Sequence, residues 1–176
     1  GPTSFVYTTP LGALPEGPAP DLKTKSFTIT ADAVIPEAGA SGMIFTQGGF
    51  TAGWGFYLEK GKLVGVHNHI DFEHYRIVST EAVPTGKVTL AMHFEYDGGG
   101  MGKGGTITLL ANGRKIGEGR VEKTTPYKFS TFEGQDVGGD SGTPVDPSYQ
   151  PPFSFPGTIT RVAVDLKPAA TAQAVQ

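Results

Sequence analysis

Histidine and arginine side chains in the middle of the chain are the first candidates for a functional site. His67 and His69 are two residues apart, so they share one face of an extended strand. If Asp71–Phe72 is a two-residue turn, His69 pairs with His74 and His67 pairs with Arg76 on the next strand. Three imidazoles near one face could bind zinc, but Arg76 would repel a cation and no carboxylate is placed as a fourth ligand. We therefore favour a solvated polar sheet face over a zinc site.

Aromatic side chains nearby could stack on sugar rings, as aromatic residues do in carbohydrate-binding modules. Trp54 alternates with Phe56 and Leu58, which favours a position in the core for all three side chains. The alternative, an exposed binding face, remains open. The candidate ligand-binding residues are Trp54, Tyr57, His67, His69 and Tyr75.

Three aspartates in a long loop are the candidates for a metal site. Asp136, Asp140 and Asp146 are separated by glycines between residues 130 and 156, and hard oxygen ligands on such a loop suit calcium. Their spacing does not match an EF-hand loop. We favour the alternative that Tyr149, Phe153 and Phe155 anchor the loop by packing. Calcium remains a possible cofactor, and no other cofactor is expected.

Catalytic patterns are weak in this sequence. The chain has no cysteine, and no G-x-S-x-G nucleophile elbow occurs. The glycine-rich segment Gly98–Gly105 contains Lys103, but it leads into a strand, whereas a phosphate-binding loop leads into a helix. No catalytic residue is therefore assigned, and we expect a hairpin loop at Gly98–Gly105.

The elements that position these residues are strands, because apolar side chains recur with period 2 almost everywhere. Asn112–Gly113 and Glu59–Lys62 are hairpin turns. The pattern predicts an all-β, two-sheet antiparallel sandwich of the jelly-roll, concanavalin-like or laminin-G-like type. Its core is predicted to contain Phe27, Ile29, Trp54, Phe56, Leu90, Met92, Phe94, Leu109, Val162 and Val164.

Length and charge limit the organisation of the chain and its partners. The 176 residues suit one domain, with a connecting segment at residues 1–24, a sandwich at 25–167 and a tail at 168–176. The net charge is −3 and no basic run occurs, which argues against a nucleic-acid or anionic-membrane partner. No stretch of about 20 apolar residues predicts a membrane helix.

A resemblance to a known family rests on six segments. They are Lys25–Ala31, Gln47–Trp54, Gly61–Val64, Phe94–Gly105, Asp136–Val145 and Pro152–Ile159. Together they resemble the C-terminal domain of long-form bacterial arylsulfatases, and the likeness extends nearly to Leu166. The resemblance implies a β-sandwich behind a catalytic sulfatase domain, which would be its partner in the parent chain. It leaves the compartment of such a bacterial protein open between periplasmic or secreted and cytoplasmic.

The sulfatase nucleophile implied by this family is absent from the chain. It is a formylglycine made from Cys or Ser in a C/S-x-P-x-R motif, whereas Ser154–Phe155–Pro156 is followed by Thr158 at the arginine position. The resemblance therefore implies a non-catalytic accessory domain that packs on the catalytic domain. The alternative is a lectin-like module that binds sulfated glycans, and a small jelly-roll glycoside hydrolase is a third hypothesis.

Overall fold

The computed structural model describes residues 4–8, 22, 25–48, 53–69, 73–124, 135–137 and 155–167. These residues form β-strands and, within the described ranges, no helix. The part of the chain that is described contains no helix long and apolar enough to cross a membrane. The strands are β1 (Ser4–Thr8), β2 (Ser26–Ile35), β3 (Gly42–Gly48), β4 (Gly53–Glu59), β5 (Lys62–His69), β6 (Glu73–Ala82), β7 (Gly86–Tyr96), β8 (Gly105–Ala111), β9 (Arg114–Val121), β10 (Gln135–Val137) and β11 (Thr158–Lys167).

The strands form two antiparallel sheets that pack face to face. The six-stranded sheet has the order β1-β11-β2-β7-β8-β9, and the five-stranded sheet has the order β10-β3-β4-β5-β6. Five pairs of consecutive strands are antiparallel neighbours, β3–β4, β4–β5, β5–β6, β7–β8 and β8–β9. By contrast, β2 pairs with β7 and β11, which are distant in sequence. The predicted fold, an all-β antiparallel sandwich, is confirmed.

The core lies between the inner faces of the two sheets, and strand alternation explains its composition. In β7 and β8 every second residue is buried, as expected where one face meets the core and the other meets solvent. All ten residues predicted to lie in the core are buried. Aromatic rings from both sheets meet there: the Trp54 ring of β4 lies 5.0 Å from the Phe27 ring of β2, edge to face.

The two predicted hairpin turns both form, with positive φ at their central residues. Asn112 and Gly113 both have positive φ, 51° and 79°, which is the backbone shape of a type I′ turn. Lys60 and Gly61 repeat this pattern with φ of 51° and 82°. The residue types at Asn112–Gly113 therefore favour the turn that joins β8 to β9, whereas in the β4–β5 turn only Gly61 is of a type that favours positive φ.

Two strands were not predicted from the sequence. Ser4–Thr8, in the predicted connecting segment, pairs with β11 along residues 161–165 and becomes the edge of the six-stranded sheet. Gln135–Val137, in the long loop, pairs with β3. Both are short and both depend on a partner far away in sequence, so local periodicity does not reveal them.

Candidate functional site

The strand pairing between β5 and β6 differs from the prediction by one residue. His67 pairs with Tyr75 and His69 pairs with Glu73, so the predicted pairs His67–Arg76 and His69–His74 are wrong. The strands end at His69 and begin again at Glu73, which leaves three residues between them where two were assumed. A slip of one residue moves every side chain of β6 to the opposite face. His74 therefore lies on the face opposite to His67.

Three of the predicted ligand-binding residues lie in one row on the inner face of the five-stranded sheet. Trp54, His67 and Tyr75 are neighbours across β4, β5 and β6. The Trp54 ring is 2% exposed, the His67 side chain is fully buried, and their ring centroids are 4.1 Å apart. Tyr75 is half-buried against the core. These side chains are thus part of the packing between the sheets.

The fourth of these residues, Tyr57, lies on the opposite, outer face of the same sheet. It belongs to a second buried cluster with Met43, Val64 and Val66, and all four side chains are fully buried. This face of β4 and β5 is therefore apolar at its centre. His69, the last of the five predicted ligand-binding residues, is the final residue of β5. Its side chain lies outside the described part of the chain.

Arg76 lies at the margin of this second cluster, and we name the group Tyr57, Glu59 and Arg76 the Arg76 site. The Nε of Arg76 donates to the Tyr57 hydroxyl at 3.4 Å, and its Nη2 donates to Glu59 Oε1. The Arg76 and Glu59 side chains are 32% and 31% exposed. Burial lowers the pKa of Arg76, but the bond to Tyr57 and the charge of Glu59 outweigh it, so the pKa is raised and the guanidinium stays charged.

The outer face of the six-stranded sheet is polar and is held together by cross-strand hydrogen bonds. Ser4 donates to Asp165 at 2.8 Å, and Thr28 bonds to the His93 ring at 2.7 Å. Thr89 donates to Asp32 at 3.1 Å. These bonds join β1 to β11 and β2 to β7, so the sheet presents a fixed pattern of polar groups to solvent.

A pocket of about 440 Å³ opens on this polar face at one end of the sheet, and we name it the Asp32 pocket. It is formed by the end of β2, the beginning of β7, the β8–β9 turn and the beginning of β11. Its lining includes the polar side chains of Asp32, Lys87, Thr89, Asn112 and Thr160.

The glycine-rich loop between β7 and β8 is tied to Tyr96. The Tyr96 hydroxyl donates to the Gly100 carbonyl and accepts from the Lys103 amide at 3.0 Å. Arg120 donates two hydrogen bonds to the Asp97 carboxylate at the base of the loop, at 3.0 and 2.6 Å. Hydrogen bonding to Arg120 lowers the pKa of Asp97. The loop enters the strand β8, as predicted, and its geometry is that of a closed hairpin loop.

The calcium prediction remains a prediction. The backbone of Asp136 lies in β10, opposite Thr46, whereas Asp140 and Asp146 lie outside the described residues. Within the described part of the chain, no group of three or more His, Cys, Asp or Glu side chains could hold a metal ion. The observed register places His74 on the face opposite to His67, and the side chain of His69 lies outside the described part of the chain.

Comparisons with known proteins identify similar folds. No protein-family model and no curated protein matches the sequence. The carbohydrate-binding module CBM40 of the Ruminococcus gnavus IT-sialidase is similar at 17% identity and TM-score 0.58, over 92% of this chain and 91% of that chain. The same module bound to alpha2,3 sialyllactose matches over 97% of both chains with the same TM-score.

Two further structures share the sandwich. The NanB sialidase of Streptococcus pneumoniae matches 97% of this chain and 27% of its own, at 13% identity and TM-score 0.59. Domains LG4-5 of the mouse laminin alpha1 chain match 94% of this chain and 42% of their own, at 12% identity and TM-score 0.50. These likenesses establish a fold shared with sialidase-associated and laminin-G-like sandwiches. The expected likeness to sulfatases finds no support among them.

Apart from Tyr57, the residues that the structure brings to its two polar sites were not among the candidates predicted from the sequence. Arg76 was considered only as a charge that would repel a metal. Glu59 has the same strand parity as Tyr57, which is a usable signal, but its meeting with Arg76 depends on the β5–β6 register. Asp32 and Asn112 are 80 positions apart in the numbering, and no local pattern connects them.

Proposed function

We propose that this chain is a non-catalytic carbohydrate-binding domain and that the Arg76 site receives an anionic sugar. The observation that carries the proposal is a charged, partly exposed guanidinium that two neighbouring side chains hold in one orientation. Glu59 bonds to Nη2 and Tyr57 bonds to Nε. A held guanidinium loses less conformational entropy on binding than a freely rotating one.

The chemistry of arginine determines the class of sugar. A guanidinium presents planar pairs of donors that match the two oxygens of a carboxylate or a sulfate group. Sialic acids carry the carboxylate, and sulfated glycans carry the sulfate. The Ruminococcus gnavus module of similar fold is seen with a sialylated sugar, which supports the carboxylate. A sulfated glycan is the ligand of the alternative hypothesis drawn from the sequence.

The described surface supports a glycan partner better than a docked catalytic domain. Docking would call for a contiguous apolar patch. Among the described residues, the exposed large apolar side chains are Val6, Val34 and Met101, which lie on three separate elements. By contrast, the outer face of the six-stranded sheet and the Arg76 site are polar. The sulfatase-accessory hypothesis therefore comes second.

Calorimetric titration with three matched sugars tests the proposal. We expect 3′-sialyllactose or a sulfated lactose to bind and unmodified lactose to bind much more weakly at the Arg76 site. The Arg76→Gln variant lacks the positive charge. It should bind the anionic sugar roughly tenfold or more weakly, since hydrogen bonds to charged groups contribute about 1.5–3 kcal/mol. Raising the salt concentration should weaken binding as well.

Arg114→Gln is the matched control. Arg114 forms a comparable ion pair with Glu81, but it lies at the end of the β8–β9 turn. Its loss should leave anionic-sugar binding unchanged. Equal loss in both variants would indicate a general effect of net charge, and binding that survives Arg76→Gln would refute the assignment. Preference between the two anionic sugars decides between carboxylate and sulfate.

A further inference from the structure

The Asp32 pocket has the features of a second binding site, on the sheet opposite the Arg76 site. Its volume of about 440 Å³ falls in the usual range for small-molecule sites, about 300–1,000 Å³. It contains one carboxylate, one amide, one ammonium group and two hydroxyls, all on strands or a tight turn. The pocket is therefore small, lined by both polar and apolar side chains, and built from strands and one tight turn.

Two hydrogen bonds of Asn112 place its side chain. The backbone N–H of Asn112 donates to the Thr89 carbonyl at 2.7 Å. The side-chain Oδ1 of Asn112 accepts from the backbone N–H of Thr89 at 2.9 Å. The positive φ of the type I′ turn brings the residue to this position. With Oδ1 engaged, Nδ2 is the donor that Asn112 offers to the pocket. Nδ2 makes no hydrogen bond within the described part of the chain.

Asp32 is held in the same way on one oxygen only. Its Oδ1 accepts from the Thr89 hydroxyl at 3.1 Å, and Oδ2 has no hydrogen bond among the described residues. Thr89 therefore fixes both neighbours, the carboxylate through its hydroxyl and the amide through its backbone. As a result, the Asp32 carboxylate, an acceptor, and the Asn112 amide, a donor, are both positioned by Thr89.

A β-bulge and an exposed valine complete the lining. The pairing of β11 with β2 shifts between Ile159 and Arg161, so Thr160 is the extra residue. Bulges redirect side chains, and the Thr160 hydroxyl donates to the Asp32 carbonyl at 3.3 Å. Val34, which is 37% exposed, adds an apolar surface. Polar groups beside a small apolar surface suit a ring that carries hydroxyls on its edge and C–H groups on its face.

We propose that the Asp32 pocket binds a neutral sugar residue, with Asp32 and Asn112 contacting adjacent hydroxyl groups. Each sugar hydroxyl can donate to the Asp32 carboxylate and accept from the Asn112 amide, so the pair matches both of its hydrogen-bonding roles. The lining holds one carboxylate, Asp32, and one ammonium group, Lys87, so the two charges offset each other and the pocket has no net charge to favour an anionic sugar. A glycan with acidic and neutral residues would then find two sites on one domain, one on each sheet. This inference does not rest on the Arg76 site.

Nuclear magnetic resonance of the isotope-labelled chain tests the proposal. The probes are the methyl glycosides of glucose, galactose, mannose and fucose, each added alone at millimolar concentration. We expect at least one of them to shift the Thr89 backbone amide and the Asn112 side-chain amide, with the largest shifts confined to the pocket lining. This mapping uses the unaltered protein, so it does not depend on whether any variant folds. The absence of shifts with all four sugars, or shifts centred elsewhere, would overturn the proposal.

Two near-isosteric variants examine the pair directly. Asn112→Asp keeps the oxygen that accepts from Thr89 and removes the amide donor, and Asp32→Asn keeps one oxygen and removes the charge. Each should weaken binding of the neutral sugar roughly tenfold or more. Asp165→Asn is the matched control, because Asp165 lies on the same sheet face, bonded to Ser4, and does not line the pocket.

The variants also separate the two sites. Neutral-sugar binding should survive both Asp165→Asn and Arg76→Gln, whereas anionic-sugar binding should survive Asn112→Asp. Neutral-sugar binding that persists in both pocket variants would refute the pocket assignment. Neutral-sugar binding lost in Arg76→Gln would place the neutral sugar at the Arg76 site and would equally refute it.

Discussion

Replacement of Phe94 by alanine should destabilise the sandwich more than most single changes. Phe94 lies in β7 and is 1% exposed. Its ring centroid is 4.7 Å from Trp54 on the other sheet and 5.5 Å from Phe27 on the neighbouring strand. The ring also occupies the space above Gly105, where an added Cβ would come within 2.5 Å of it. Truncation therefore opens a cavity whose walls come from both sheets.

The magnitude follows from the loss of these contacts. Phenylalanine-to-alanine changes in a well-packed core cost about 3–5 kcal/mol, from lost apolar burial together with the cavity left behind. The rigid strands on either side limit collapse into the cavity, so the upper part of that range is expected. This loss is a large share of the roughly 5–15 kcal/mol that stabilises a typical domain.

Chemical denaturation measures the effect, with two matched controls. The single tryptophan, Trp54, lies beside Phe94 and reports unfolding through its fluorescence, and circular dichroism provides a second signal. Phe94→Leu retains most of the apolar volume and should cost less than about 2 kcal/mol. Val34→Ala, at an exposed position, should stay within roughly 0.5 kcal/mol of the parent. A loss below about 1 kcal/mol in Phe94→Ala would refute the packing described for this ring.

Three further predictions concern packing, pH and calcium. Gly65→Ala should cost about 1–3 kcal/mol in denaturation experiments, because the new Cβ would approach Met92 Sδ to 2.8 Å. The Ser26 hydroxyl lowers the pKa of Glu95, against the opposing effect of burial. Glu95 should therefore add stability above the ordinary glutamate pKa and lose it as the pH falls through the lowered folded value, and Ser26→Ala should flatten that part of the stability–pH curve. The melting temperature should not respond to calcium if packing anchors the long loop; a rise with calcium that Asp140→Ala abolishes would establish the metal instead.

Local turn chemistry and strand alternation allowed much of the fold to be predicted. Asn112–Gly113 determines its own hairpin, because both residues tolerate positive φ. The alternation in β7 identified Leu90, Met92 and Phe94 as core residues, and all three are buried. Such features depend on residues next to each other in the chain, and so they are visible in the sequence.

The face of β6 could not be predicted in the same way. The register between β5 and β6 depends on the length of the connection between them, and an error of one residue there exchanged the faces of His74 and Tyr75. The Arg76 site was missed for this reason. Its contact with Tyr57 requires Arg76 to lie on the outer face, beside Val66, and that placement follows from the register alone.

What the sequence by itself determined about this protein is its class: an antiparallel β-sandwich with a defined core and two tight hairpins. What only the tertiary structure decided is which side chains meet. Asp32, Thr89, Asn112 and Thr160 come from four separate parts of the chain, and they line one pocket because β2 pairs with both β7 and β11. Local preferences act over a few residues, whereas these pairings are selected by burial of whole sheet faces across the entire chain. For that reason, the two sites proposed for sugars emerge only when the strands are assembled.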